Sequence, residues 1–116
     1  MDLIDLFIGQ EGTLSVIAQI ELGLVKMPSD ILSSFIFFED ESDAWNFAGD
    51  ARKTFRSTLL SIEYFDSNAL MLLRIKNSNV PAGMKAAIFF EEETASKKEE
   101  ASMDKWLELI SKHNAS

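Results

Sequence analysis

Gly9-Gln10-Glu11-Gly12-Thr13 is the stretch whose residue types most nearly suit chemistry. Two glycines and a hydroxyl at this spacing let the backbone turn tightly and bring its amides close to a phosphate or a cofactor ring, and an alternating segment follows at once. The plainer reading of the same residues is a tight turn ahead of a strand, where glycine relieves backbone strain. Local pattern leaves both open.

Other residues that suggest chemistry have simpler readings. His113, the only histidine, stands among "SKHNAS" with no convergent partner, and is expected as a frayed surface residue rather than a base or ligand. The runs Glu39-Asp40-Glu41 and Glu91-Glu92-Glu93 lack the alternate ligand spacing and central glycine of a calcium loop, and read as solvated helix N-termini. Phe35, Phe37, Phe38, Phe89 and Phe90 have acidic rather than basic flanks, so they read as sheet core and not as base-stacking platforms. Arg74 is a candidate bidentate donor to an anion, against the plainer reading of a surface arginine at a helix end. Glu63 and Tyr64 have no partner identifiable from sequence.

Composition narrows the classes. The 116 residues, 47% hydrophobic, suffice for one small globular core. A net charge of −8, with no basic run longer than Lys97-Lys98, argues against nucleic acid as a partner. There is no cysteine, so disulfides, thiolate nucleophiles and Cys-held metal centres are excluded within these residues, and a reducing, cytoplasmic setting is expected. The first residues, Met1-Asp2-Leu3-Ile4-Asp5, do not form a signal peptide, and no apolar run approaches the roughly 20 residues that span a bilayer.

These residues must be positioned by a small set of elements. Ser15 to Val25 alternates as a strand, with Val16, Ala18, Ile20, Leu22 and Leu24 on one face. Pro28 in "KMPSD" cannot continue a ladder and marks a boundary, giving segments 1–27 and 28–116. Ile31 to Phe38 is a second strand, apolar on both faces. The acidic cluster and Ser42 then start a helix in which Ala44, Ala48, Ala51 and Phe55 share a stripe flanked by Trp45 and Phe47. Leu59–Phe65 and Lys85–Phe90 read as strands, separated by a short helix from Ala69 to about Ile75 and the turn "KNSNVPAG". Ser96 and Glu99 have capping-box spacing ahead of a last helix with Met103, Trp106, Leu107 and Ile110 on its apolar side. The expected class is α+β: a ferredoxin-like antiparallel sheet with helices on one face, preceded by the strand of residues 15–25. "FIFFEDES" and "AIFFEEET" are alike enough to suggest two related strand–helix units.

Taken whole, "DLFIGQEGTLSVIAQIELGLV" resembles the segment that closes the flavin-binding domain in FAD-linked oxidases of the glycolate oxidase and D-lactate dehydrogenase type. The residues that carry the resemblance are Leu6-Phe7, Gly9, Glu11-Gly12-Thr13-Leu14, the strand Val16 to Val25, and Pro28. Gln10 stands where the family usually has Ser, and Ser15 where it usually has Gly. The layout after Pro28 is similar to the start of the family's cap, or substrate, domain. The resemblance implies that Glu11, Gly12, Thr13, Leu14, Ser15, Val16 and Ile17 lie against FAD. It also implies hydride transfer from a small 2-hydroxy acid to the flavin, which does the redox chemistry while the protein orients the substrate. The rest of the flavin and substrate sites would lie in the remainder of a parent enzyme, making this chain a fragment that is inactive alone, with no catalytic or metal-binding residue of its own. The alternative is a freestanding ferredoxin-like binding module that forms homo-oligomers through an exposed sheet edge.

Overall fold

The computed structural model describes residues 2–94 and 99–115. A 3-10 turn, Leu3–Leu6, is followed by an irregular segment that reaches Ser29. Then come β1 (Asp30–Phe38), α1 (Glu41–Thr54), β2 (Leu59–Phe65), α2 (Ser67–Lys76), β3 (Ala86–Thr94) and α3 (Glu99–Lys112). The class is α+β, with one three-stranded antiparallel sheet in the order β1-β3-β2. β1 and β2 each run antiparallel to β3 and hence parallel to each other, so α1 carries the chain across the central strand.

Alternation along the strands sorts the two sheet faces. Ile36 pairs with Ile88 and Ile62 with Phe90, and these side chains lie on the face under α1 and α3. There Phe38, Phe47, Ile88, Phe90 and Trp106 are fully buried. The Trp106 indole stacks against both Phe55, at 4.0 Å between ring centroids, and Phe90, at 3.7 Å. Full burial of such side chains stabilises by about 1.5–3 kcal/mol each, so this cluster is the main source of the fold's stability. Phe35, Phe37, Phe65 and Phe89 belong to the opposite face, where Phe35 lies 5.2 Å from Phe65 and 5.0 Å from Phe89. This face is less covered, and Phe35 remains exposed.

Several expectations need correction. β3 does not stop at Phe90 but runs through Glu91-Glu92-Glu93 to Thr94, opposite Ser33, Leu32, Ile31 and Asp30 of β1. A central strand has ladder partners on both sides, and these outweigh the low strand propensity of glutamate. The second acidic run is therefore not a helix N-terminus. The first is: Asp40 caps α1, accepting from the Ser42 amide at 2.8 Å and the Ser42 hydroxyl at 2.6 Å, so Asp40 rather than Ser42 provides the cap. In α1 the buried stripe includes Phe47, while Trp45 is exposed. In α3 it passes through Ser102, Trp106, Leu109 and His113, leaving Met103 and Leu107 exposed, a rotation set by polar anchors at both ends. The expected Ser96 half of the capping box lies outside the described residues. Finally, residues 15–28 form no strand. An alternating sequence becomes a strand only where another backbone pairs with it, and no described residue does so here.

Candidate functional site

The glycine turn at residues 9–13 is built around one side chain. Asp2 caps the 3-10 turn, and its amide donates to Asp5 at 3.0 Å. The chain then passes Gly9 and Gly12, both at φ +78°, and Glu11 at φ +49°. The left-handed region is open to glycine and costs another residue about 1–2 kcal/mol, so Glu11 holds a modestly strained conformation. Gln10 closes the loop: its Oε1 accepts from the Leu14 amide at 2.9 Å and the Ser15 amide at 3.3 Å, and its Nε2 donates to the Ser15 carbonyl at 3.0 Å. The Gln10 carbonyl accepts from the Thr13 amide at 2.9 Å and the Thr13 hydroxyl at 2.6 Å.

This ring sorts the residues that the resemblance nominates. The amides of Thr13, Leu14 and Ser15 are held inside the loop. Gly12 has open space where a Cβ would sit, so a flat or phosphate-bearing group has clear access to the backbone. Leu14, Val16 and Ile17 are exposed, and Ser15 is half-buried. Glu11, Gly12, Thr13, Leu14, Val16 and Ile17 are thus exposed on either side of the half-buried Ser15. The stretch is not concave. Recesses lie elsewhere, among them one of about 590 Å³ beside Thr58, Glu92 and Ser102, one of about 550 Å³ beside Arg52, Arg56 and Leu59, and one of about 280 Å³ beside Trp45 and Tyr64. Gln10 was the residue sequence reasoning missed. Its signal was present in its length: only a side chain with both donor and acceptor could bridge the loop to Ser15.

Three polar groupings elsewhere were also not foreseen. Glu92 is buried, and accepts from the Thr58 hydroxyl at 2.8 Å, the Ser102 hydroxyl at 2.6 Å and the Trp106 indole at 2.7 Å. All three donors are accounted for, so the group joins β3, α3 and the entry to β2 rather than awaiting a ligand. His113 is not frayed but buried, 3.2 Å from Asp50 and edge-on to Phe47. Lys112 donates to the same Asp50 oxygen at 2.7 Å, and these two bonds, Lys112 first, hold the Asp50 carboxyl down from 3.8 to about 2. Arg74 donates from Nε and Nη2 to the Pro81 carbonyl at 3.1 and 2.7 Å and from Nη2 to the Met84 carbonyl at 3.2 Å, so it fastens the turn before β3. Tyr64 stacks on Trp45 at 4.4 Å, and burial, then the charges of Glu41 and Asp66, raise its hydroxyl pKa. Among the described residues no group of acidic or histidine side chains is arranged to hold a metal, and no helix is long and apolar enough to cross a membrane.

No family model, curated protein or solved structure matches the chain.

Proposed function

We propose that this chain is a piece of an FAD-dependent oxidoreductase of the glycolate oxidase and D-lactate dehydrogenase type. In this reading Glu11 to Ile17 supply one wall of the flavin site, the remainder of the parent enzyme supplies the others, and residues 28–116 begin the substrate domain. The observation that carries the reading is a coincidence of two features. The turn that resembles the family, with Gly12 open, leads straight into an apolar segment left uncovered by this chain. Val16, Leu24 and Val25 are 93%, 92% and 93% exposed. Apolar surface on this scale marks a contact with other polypeptide. When bound, the flavin would accept a hydride from a small 2-hydroxy acid; this chain's own residues would position the ring and shield it from water. The absence of cysteine goes with a cytoplasmic setting.

The test is flavin retention. The 116-residue chain is expected to emerge colourless from gel filtration after incubation with FAD, and the longer parent protein to emerge yellow. A yellow 116-residue chain refutes the incomplete site; a parent purified without flavin refutes the enzyme assignment.

A second reading is favoured by the topology. A β-α-β crossover with an antiparallel strand between its two parallel strands is three-quarters of a ferredoxin-like sheet, and the fourth position lies beside β1. In this reading the chain is a ferredoxin-like binding or dimerisation module without catalysis.

A further inference from the structure

The outer edge of β1 has no strand partner among the described residues. Among the described residues β1 pairs only with β3, so over Ile31–Phe38 its other edge presents a row of amides and carbonyls without a strand partner. Sheet edges are usually guarded by charge, proline or a bulge. β1 has no proline, its pairing with β3 is in continuous register, and Asp30 at its first position is its only charged residue. The arm Ser15–Val25 has the complementary properties. It alternates, is long enough to run the whole of the nine-residue β1, and has Glu21 as its only charge. It is also exposed from Val16 to Val25 and pairs with no described strand.

We propose that the edge of β1 takes the arm Ser15–Val25 of a second copy of this chain as its fourth strand. The result is a two-fold dimer in which the two arms are exchanged. The inference rests on the second reading above and names its partner surface. Strand addition satisfies the edge groups by backbone bonds and covers the arm's apolar side chains in the same step. Reciprocal exchange closes on itself, so both edges are used and no filament grows. Exchange is favoured over folding the arm back in the same chain by what precedes β1. The Ser29 hydroxyl donates to the Thr94 carbonyl at 3.2 Å, which keeps the chain alongside β3 as it enters β1, and Pro28 stiffens the linker immediately before it.

Light scattering after gel filtration tests this on the 116-residue chain without flavin. The expected mass is about 26 kDa, twice the 13.0 kDa of one chain. Gln19→Pro and Ile20→Pro, made separately, distinguish a strand from a merely greasy arm. Adjacent amides in a strand point to opposite sides, so one of the two prolines must remove a donor from the ladder. That variant is expected to run at half the mass, with the helical part of its far-ultraviolet circular dichroism spectrum retained and the contribution of the added strand lost. A wild-type chain that is monomeric, or two proline variants that both remain dimeric, overturns the proposal. Neither result bears on flavin retention by the parent, so the two readings fail separately.

Discussion

Glu92 and Asp50 show how far one carboxyl group's role depends on what surrounds it. Glu92 is met by three donors inside the fold, one of them the indole of the fully buried Trp106. Glu92→Ala would leave that indole without an acceptor, for which a cost of about 1–3 kcal/mol is expected, in addition to the lost packing. Glu92→Gln keeps one acceptor oxygen and should cost less; urea denaturation midpoints of the two variants check the order. Asp50 is half-exposed and held by Lys112, His113 and Lys53. Its folded pKa lies below its unfolded one, so the unfolded state binds the proton first as pH falls. The stability it contributes is therefore complete above about pH 4 and is lost as pH falls through about 2. In Asp50→Asn that part of the acid-induced loss should be missing, which urea midpoints measured between these two pH values will show; an unaltered acid profile would rule out the linkage.

At the scale of elements, two aromatic residues separated by a single position on α1 make a sharp comparison. Phe47 is fully buried against Phe38 and Trp106, whereas Trp45 lies on the outside and stacks on Tyr64. Phe47→Ala is expected to cost about 3–5 kcal/mol and Trp45→Ala only about 0.5–1.5, with urea midpoints again the measurement. Periodicity placed both beside the apolar stripe of α1 but could not decide which faced the sheet, because they flank that stripe on opposite sides, about 200° of helix rotation apart, at similar angles from its centre. β2, bounded by a helix end and by Asp66, was legible over Leu59–Phe65 because its start and stop signals are local. The end of β3 was not, since Glu91-Glu92-Glu93 are strand residues only by virtue of their neighbours on both sides. The same holds for the candidate site. Its glycine turn was visible as a pattern, but the bridging by Gln10 and the pairing of His113 with Asp50 depend on where the chain returns in space. The Asp66 cap of α2, which accepts from the Ala69 amide at 2.7 Å, is a local signal of the readable kind. Asp66→Ala should cost about 1 kcal/mol.

On the scale of the whole molecule, a packed body and an unpacked arm share one chain. The radius of gyration is 18.1 Å, against about 13 Å for a compact domain of this length. The excess belongs to residues before β1, since every buried core residue lies at Ile36 or beyond. Stability should therefore be divided just as unevenly. Residues that bury nothing contribute little to the cooperative transition, while their exposed, unpaired backbone is open to proteases. Lys26 is the exposed basic residue at the junction, between the arm and the first residues of β1. Dilute trypsin acting on monomeric chain is expected to cut after Lys26 well before it cuts at Arg52, Lys53 or Arg56, which lie on or beside α1. Mass spectrometry of an early time point identifies the cut. The purified product beginning at Met27 should retain the unfolding free energy of the intact monomer, measured in urea, to within about 0.5 kcal/mol, the range of surface changes that touch no packed feature. A product that unfolds at markedly lower urea would mean that the arm is part of the folded body, and that its apolar side chains are covered within a single chain.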